Sequence, residues 1–536
     1  MKKLIPWSLF TAIIISIFYF LPSCSEQARK AAPVIKDSIP AKDMSVRGSF
    51  SDQQIFHADS NQIRSVIKNF PLLAAYSSDI NQFYTNRHFS YAWYDQQGLI
   101  EQANNLFNHL NNLKLDGILI RVPYLNILDS LLNDPLVIKG PDPQLDVLLS
   151  AEYFFYADKV WNGIPEKNTN SMQWFLPRKK LNLPYIIDSV LKDSAAQLFS
   201  NSYSVGQYNI LKQSLRIYRH LDSTQSWQLL KTNVKSYAKG DSAAIIGQIR
   251  NRLFLFGDIT VNSGSDLFDT SMIIAVKSFQ ERNGMTTDGV IGPGLIASIN
   301  TPLSDYIRKI IVNMERMRWI PTNISRHFLL INIPAFSLYA YDDDTVTFRM
   351  NVVVGKDVHK TVLFSGDLQY IVFSPYWNVP PSIMKAEILP AIKRDPGYLK
   401  RNNMEWNGNS IRQKPGPKNS LGLVKFLFPN SYNIYLHDSP AKNLFNQPAR
   451  AFSHGCIRLA EPEKLADYLL KDDPQWNDSK INQAMHSGKE KYVTLKQTVP
   501  VYIGYFTAYA DNKGRINFRD DVYKRDQALE KMIIQK

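Results

Sequence analysis

Cysteine is almost missing from this chain, whose 536 residues contain only Cys24 and Cys456. A small fold held by several disulfides is excluded, because two cysteines form at most one bond. Histidine is also scarce, with nine copies, and no CxxC or HExxH spacing occurs. Because zinc sites usually carry such ligand spacings, a zinc site is disfavoured and no metal or other cofactor is expected.

The chain also lacks a dense run of basic residues, although its formal net charge is +14. Its 62 lysines and arginines are dispersed among 48 acidic residues. Dispersed positive charge attracts polyanions in general, such as anionic lipid or acidic wall polymers, whereas nucleic-acid binders cluster their charge. We therefore expect no nucleic-acid partner.

The N-terminus combines two lysines, Lys2 and Lys3, with an apolar run from Leu4 to Leu21. This layout is typical of a secretory signal, and an uncleaved membrane anchor is the alternative because the run is about long enough to span a bilayer. The segment LPSC, which ends at Cys24, resembles the lipobox of bacterial lipoproteins, in which the cysteine carries lipid. Both interpretations leave the rest of the chain outside the cytoplasm, and a lipidated Cys24 leaves Cys456 without a disulfide partner.

Helical and strand-like periodicities occupy different stretches, which predicts an α+β protein of several domains. After a lipoprotein-type signal peptide at 1–23, residues 24–59 are polar and irregular and predict a flexible tether. Apolar residues at helical spacing predict a mainly helical scaffold domain at 60–237. No group of chemically reactive residues stands out in this helical region.

Residues 240–300 form a separate predicted unit of helices and a glycine-containing loop. Asp269 is placed to cap one helix, Gly284 and Gly289 suit left-handed backbone, and Pro293 suits the first turn of the closing helix. The unit resembles the small three-helix peptidoglycan-binding module of many wall enzymes. A helical spacer that does not bind glycan is the alternative.

The C-terminal half changes from helical to strand-like patterns. A linker helix is predicted at 301–324, followed by a mainly β domain at 325–510 with an insertion at 380–420 and a hairpin at the sequence DNKG. Residues 511–536 are predicted as a C-terminal tail. A long insertion beside an active site is commonly a lid, so we expect the insertion to cap a cleft.

Cys456 lies in the sequence SHGC and has the features of a nucleophile. A reactive thiol needs a nearby base or a helix N-terminus, and His437 ends a predicted strand upstream while EPEKLADYLL predicts a helix downstream. The backbone amides of Gly455 and Cys456 are candidates for an oxyanion hole. A buried structural cysteine and a zinc ligand are the alternatives.

The stretch HDSPAKNLFNQPARAFSHGCIRL resembles the active-site motif of the YkuD-type L,D-transpeptidases. The matching positions are Ser453, His454, Gly455, Cys456 and Arg458, with His437 upstream. Many members of that family have glycine after the first histidine, where this chain has Asp438. Nearly the whole chain resembles the long subfamily with a scaffold domain, a peptidoglycan-binding module and a YkuD-like catalytic domain with a capping insertion.

The resemblance implies a cysteine-dependent acyltransferase of peptidoglycan. In such enzymes the cysteine attacks the third residue of a tetrapeptide stem, releases the terminal D-alanine, and passes the acyl group to the amine of a second stem, which makes a 3→3 cross-link. The implied partners are stem peptides, glycan and a membrane. An L,D-carboxypeptidase and a non-catalytic peptidoglycan-binding lipoprotein are the alternatives.

The resemblance also assigns roles by position. Cys456 is the nucleophile and His437 the general base, its second ring nitrogen held by a backbone carbonyl near Asp438. Arg458 holds a stem carboxylate, with a structural ion pair as the alternative. The remaining candidates support the oxyanion side or line a donor pocket, with core packing as the alternative for the pocket. They are Ser453, His454, Gly455 and Asp438 for support, and Tyr376, Trp377 and Asn378 for the pocket.

The expected location is the periplasm or cell envelope. A carbapenem is the implied covalent inhibitor, because the family is generally susceptible to that class. Ser25 is not the aspartate that retains some lipoproteins at the inner membrane, so the outer membrane is favoured.

Overall fold

The computed structural model describes residues 56–192, 205–322, 324–343 and 345–534. The predicted signal peptide, Cys24 and nearly all of the predicted tether lie outside these residues. Within the described ranges, no helix is both long and apolar enough to cross a bilayer.

The N-terminal region is a helical body around its own core. Its central helix is buried on every side and begins after Asp142, whose side chain accepts a hydrogen bond from the Leu145 amide. This body comprises α1 (Ser60–Asn69), α2 (Ser77–Asn86), α3 (Glu101–Asn111), α4 (Leu125–Leu132), α5 (Pro135–Lys139), the central α6 (Pro143–Ala157), α7 (Glu166–Ser171) and α8 (Leu183–Lys192), with short strands β1 (Tyr94–Asp95), β2 (Gly98–Leu99) and β3 (Trp174–Phe175).

The middle of the chain holds a long helix, α9 (Gly206–Thr224), and then a three-helix unit with a separate core. Asp269 caps the second helix of that unit by accepting from the Met272 amide, and Pro293 lies in the first turn of the third. Gly284 and Gly289 have positive φ, as predicted. The unit consists of α10 (Ala244–Leu255), α11 (Thr270–Arg282) and α12 (Pro293–Ile299).

The predicted linker helix, α13 (Leu303–Trp319), is a central element of the molecule. Every residue from Ile310 to Trp319 is buried, because α9 packs on one side and the C-terminal β domain on another. The predicted helix is therefore present, but its burial between the scaffold and the β domain was not predicted. Its charged residues are buried in pairs with each other and with the scaffold, which a sequence pattern does not reveal.

The C-terminal region is built on strands that close into a barrel. The order is β11-β12-β14-β6-β5-β4-β15-β7, and β7 pairs again with β11, so the sheet has no open edge there. β3 of the scaffold adds to β7, and β13 adds to β6. The strands are β4 (Phe328–Asn332), β5 (Ser337–Asp342), β6 (Thr345–Gly355), β7 (Leu363–Phe373), β8 (Trp377–Asn378), β9 (Met404–Asn407), β10 (Ser410–Gln413), β11 (Val424–Leu427), β12 (Leu436–His437), β13 (Ala451–Ser453), β14 (Ile457–Leu459), β15 (Lys491–Gly504), β16 (Ala508–Ala510) and β17 (Ile516–Phe518).

The insertion between β7 and β11 forms a cap with a small core of its own. Its sheet has the order β8-β10-β9, and a π-helical turn at Met384–Ile388 interrupts its helices. The remaining helices of the chain are α14 (Pro381–Ile383), α15 (Leu389–Arg394) and α16 (Tyr398–Arg401) in the cap, then α17 (Pro462–Leu470), α18 (Asp478–His486) and α19 (Arg525–Ile533). The chain is thus an α+β multidomain protein with a helical N-terminal region and a mainly β C-terminal region, as predicted.

The C-terminal residues do not form a tail. The hairpin predicted at DNKG is present, because β16 pairs antiparallel with β17. Beyond it, α19 packs against the core through Leu529, and Tyr523 is 2% exposed. The prediction of a tail at 511–536 is therefore wrong, since these residues contribute side chains to the main core.

Candidate active site

Cys456 lies in a tight turn between β13 and β14. The hydroxyl of Ser453 donates to the Cys456 carbonyl at 2.6 Å and accepts from the Gly455 amide at 3.1 Å. Gly455 has a φ of +117°, which only glycine adopts readily. The Thr361 hydroxyl donates to the Gly455 carbonyl at 2.9 Å, so the turn is fixed from both sides.

The helix predicted downstream of Cys456 is present, but it does not follow the turn directly. Strand β14 follows at once, and helix α17 begins only at Pro462, because the chain first crosses the barrel between β12 and β6. The Gly455 amide is also occupied by Ser453, so the predicted use of that amide for an oxyanion is wrong in this conformation. In the described part of the chain, the Cys456 amide has no hydrogen-bond acceptor, and it is the donor left for an oxyanion.

His437 ends β12 and lies opposite Arg458 in the parallel pair of β12 with β14. Its Nδ1 lies 2.5 Å from the Asp438 carbonyl oxygen, which fixes Nδ1–H as the donor and leaves Nε2 as a base. Burial lowers the pKa of His437 to about 3, and the positive charge of Arg458 acts in the same direction. The ring is therefore neutral at physiological pH, and its Nε2 carries no proton.

The thiol of Cys456 donates to the Asn433 carbonyl, with Sγ and O 3.7 Å apart. Burial raises the pKa of Cys456, while the amide and hydroxyl of Tyr435 and the charge of Arg458 oppose that rise. Among the described residues, no hydrogen bond joins this thiol to His437. Extending the strand register places Cys456 opposite Tyr435, so its side chain lies on the same face as His437, two residues further along.

Arg458 is a half-buried guanidinium beside this pair. Its Nε is buried without a hydrogen-bond partner, and in the described ranges Arg458 takes part in no ion pair. Burial lowers the pKa of Arg458, and the nearby Cys456 opposes that shift. The alternative of a structural ion pair is therefore not realised, and the cation faces the nucleophile.

Asp438 is buried and anchors the end of β12. Its carboxylate accepts from the amides of Leu423 and Ser439 at 2.9 and 2.6 Å and pairs with Lys442 at 2.6 Å. A Cβ on Gly422 would meet the Asp438 carboxylate oxygen at 2.2 Å, so this aspartate requires that glycine. The side chain thus fixes the residue whose carbonyl orients His437.

His454 and the predicted pocket residues lie towards the cap. The Nε2 of His454 lies 3.1 Å from the carboxylate of Glu387, which stands on the cap's π-helical turn. Trp377 packs against the cap's core, which is the core-packing alternative. Asn378 is exposed and pairs in register with Arg412 on β10, whose guanidinium lies 4.4 Å from the Tyr376 ring centroid. The three residues therefore form one edge of the cap.

Sequence reasoning missed the loop between β11 and β12. The Asn430 side chain donates to the carbonyls of Phe428 and Ile434 and accepts from the amides of Tyr432 and Ile434, which fixes the loop that presents the Asn433 carbonyl to the thiol. Asn433 has a φ of +56°. The turn-forming composition PNSYN was the available signal.

A second missed support comes from the C-terminal segment. The Tyr523 hydroxyl donates to the Gly355 carbonyl at 2.5 Å and accepts from the Thr361 amide at 3.3 Å. Thr361 also donates to the Gly455 carbonyl next to Cys456. The C-terminal segment therefore supports the loop that carries the candidate nucleophile. No local signal around Tyr523 indicates this contact. Across the described ranges, no group of three His, Cys, Asp or Glu side chains is arranged to hold a metal ion.

Chemically, this arrangement suits acyl transfer by a cysteine with a neutral histidine as base. The comparisons with known proteins agree with that class. Residues 326–501 match the family model of the L,D-transpeptidase catalytic domain, YkuD, and residues 78–215 match the model of the scaffold domain. The resemblance to the YkuD-type L,D-transpeptidases is therefore confirmed over the matched residues.

The curated protein "Putative L,D-transpeptidase" of Haemophilus influenzae is 30% identical over 247 residues, which are 42% of this chain and 50% of that protein. The chain therefore matches about half the length of this relative. A solved L,D-transpeptidase of Xylanimonas cellulosilytica is 14% identical with a TM-score of 0.18, over 51% of this chain and 100% of that chain. One of Stackebrandtia nassauensis is 12% identical with a TM-score of 0.22, over 51% and 98%. TM-scores this low do not indicate a shared fold over the whole chain.

Proposed function

We propose that this protein is a peptidoglycan L,D-transpeptidase of the bacterial cell envelope. It forms 3→3 cross-links through a cysteine thioester and releases D-alanine from a tetrapeptide stem. The observation that carries the proposal is the Cys456 turn, which lies beside a neutral His437 and the cationic Arg458 within the region matched by the YkuD model.

Acylation begins when the thiol gives up its hydrogen bond to the Asn433 carbonyl and donates to Nε2 of His437 instead. Both side chains share one face of the sheet, and the proposed step needs the thiol to turn towards His437 on that face. His437 takes the thiol proton, and the sulfur attacks the carbonyl of the third stem residue. The Cys456 amide donates to the oxyanion, and His437 then protonates the departing D-alanine amine, which leaves a thioester.

The second half of the reaction is aminolysis. The side-chain amine of a second stem attacks the thioester carbonyl, its proton passes to His437, and the thiol is regenerated. Water competes for the same thioester. The cap stands over the turn through the contact of Glu387 with His454, and it restricts water while the amine enters.

The test uses the chain without its predicted signal and a disaccharide-tetrapeptide muropeptide. We expect a cross-linked dimer and free D-alanine, together with an acyl adduct in intact-mass spectra after incubation with a carbapenem. The adduct should be absent from Cys456→Ala. An adduct that survives this substitution contradicts the mechanism, and a trimmed monomer without dimer identifies a carboxypeptidase instead.

We also propose that Cys24 carries lipid and tethers the enzyme to a membrane. The support is the LPSC sequence alone, since these residues lie outside the described part of the chain. Labelling cells with an alkyne fatty acid should mark the wild type and leave Cys24→Ser unlabelled. Equal labelling of both refutes lipidation at this residue.

A further inference from the structure

The scaffold places an aromatic ring beside the candidate active site. Strand β3 pairs parallel with β7, and its two residues point to opposite sides of the sheet. Trp174 is buried against Trp319 and anchors the strand, with ring centroids 4.9 Å apart. Phe175 therefore faces outward, and 43% of its surface remains exposed.

Phe175 stacks on Tyr432 of the loop that carries Asn433. Their ring centroids are 5.8 Å apart and their planes differ by 19°, while Tyr432 also contacts Phe364 at 4.8 Å. Tyr432 is 38% exposed, so this pair, the aromatic platform, presents ring surface to solvent. Asn430 fixes the loop under Tyr432 through its four hydrogen bonds, so the platform is held in place.

The aromatic platform lies close to the nucleophile. Tyr432 precedes Asn433, whose carbonyl oxygen is 3.7 Å from the Cys456 sulfur. Neighbouring Cα atoms are about 3.8 Å apart, so the Tyr432 backbone lies within roughly 10 Å of the thiol. Exposed aromatic surface beside a polar catalytic turn is typical of a ligand-binding surface.

The distance between the aromatic platform and the thiol indicates which part of the substrate would lie on the platform. The attacked carbonyl belongs to the third residue of the stem, and an extended chain spans at most about 3.6 Å per residue. The sugar that bears the stem therefore lies roughly 10 Å or slightly more from the attacked carbonyl. A pyranose ring has an apolar C–H face that packs on a flat aromatic ring.

We propose that Phe175 and Tyr432 bind the N-acetylated sugar that carries the donor stem. This inference rests on the proposed function for the identity of the substrate. It assigns the scaffold a direct part in substrate binding, since Phe175 comes from β3. The aromatic platform therefore binds the glycan, while the Cys456 turn binds the peptide.

The experiment measures binding without turnover. Full-length Cys456→Ala protein is titrated by calorimetry with a disaccharide-tetrapeptide and with the same tetrapeptide lacking sugar. We expect the sugar-bearing ligand to bind about tenfold more tightly. Adding Phe175→Ala or Tyr432→Ala should bring the two affinities within about twofold, while Tyr432→Phe, which keeps the ring, should retain the difference.

Equal or undetectable binding of both ligands to the parent protein overturns the inference, as does an equal loss of both affinities in the alanine variants. Carbapenem acylation of the wild type, measured in parallel, reports on the proposed function separately. If no adduct forms, the proposed enzymatic activity is refuted, and the difference in affinity still tests whether the aromatic platform binds sugar. An adduct with equal affinities refutes only the platform.

Discussion

The positive charge of Arg458 favours the thiolate of Cys456, as do the amide and hydroxyl of Tyr435. Burial raises the pKa of the thiol and the guanidinium opposes that rise, so Arg458 favours the thiolate. The fraction of thiolate increases as pH rises towards the thiol pKa, and alkylation by iodoacetamide follows that fraction. The reactivity of Cys456 therefore depends on its burial, on the hydrogen bonds of Tyr435 and on the charge of Arg458.

Arg458→Gln should raise the pKa of Cys456 further, because the favourable charge is removed. We expect alkylation of Cys456 at pH 8 to slow by roughly three- to tenfold, with the rate recovering at higher pH. The measurement is the pH profile of the alkylation rate by intact mass. Arg326→Gln, at an arginine whose side chain is 78% exposed, is the control and should change nothing. An unchanged profile for Arg458→Gln contradicts this account.

Asp438 and Gly422 depend on each other. A methyl group at Gly422 would clash with the Asp438 carboxylate, and φ at Gly422 is +63°. Gly422→Ala should lower the free energy of unfolding by about 2–4 kcal/mol, whereas in an Asp438→Gly background the added cost should fall to about 1 kcal/mol. Denaturant unfolding of the four proteins in the cycle measures this coupling. Additive effects would show that the two sites do not interact.

At the scale of elements, the cap and the Cys456 turn meet through Glu387 and His454. Both side chains are partly exposed, so their pairing contributes only about 0.2–1 kcal/mol. Such an energy is enough to bias the position of a cap without locking it shut. The π-helical turn at Met384–Ile388 is what places the carboxylate there, because it interrupts the regular helix.

Glu387→Gln should therefore change how the thioester is partitioned. We expect the ratio of hydrolysed monomer to cross-linked dimer to rise about two- to fivefold, because a looser cap admits water. Alkylation of Cys456 should not change. Glu405→Gln is the matched control, since that carboxylate pairs with Arg412 and Lys414 within the cap. A fall in alkylation equal to the fall in dimer formation contradicts the role as a lid.

Local signals in the sequence predicted several elements well. Asp269 caps its helix and DNKG forms a hairpin because caps and tight turns are encoded by a few adjacent residues. The helix predicted after Cys456 is also present, but the short strand β14 between the two was not predicted. Three residues are too few for a periodicity to show, and β14 exists because β6 and β12 pair with it.

The candidate site was predictable in part. The sequence pointed to Cys456 and His437 through their residue types and motif. The contacts that support them come from distant parts of the chain, such as Tyr523 and Thr361, and no local pattern encodes a contact of that range. The Asn433 loop is intermediate, since its turn composition was visible but its position beside the thiol was not.

At the scale of the whole molecule, α13 joins the scaffold to the catalytic barrel through buried charges. Glu315 accepts from the Ile164 amide at 2.6 Å and from Trp319 Nε1 at 2.9 Å. It also pairs with Arg318 at 2.9 Å, and Arg318 donates to the Val160 carbonyl at 3.0 Å. On the other side, Arg316 of the same helix pairs with Asp526 at 2.7 Å, and Asp526 accepts from the hydroxyl of Thr507, beyond the end of β15, at 2.6 Å. Helix α13 therefore connects scaffold and barrel through buried charges, and we expect the two to unfold together.

Glu315→Gln should lower the free energy of unfolding by about 3–5 kcal/mol, because it removes the carboxylate that pairs with the buried Arg318 cation. Thermal unfolding followed by circular dichroism and by tryptophan fluorescence should give one shared, lowered midpoint. The control is Glu461→Gln, at an exposed pair with Lys464, which should shift stability by less than about 0.5 kcal/mol. If the scaffold melts separately while the barrel keeps its midpoint, α13 does not couple them. A single lowered transition means that the position of Phe175 on the barrel depends on this helix, because β3 and β7 then stay paired only while the network is intact.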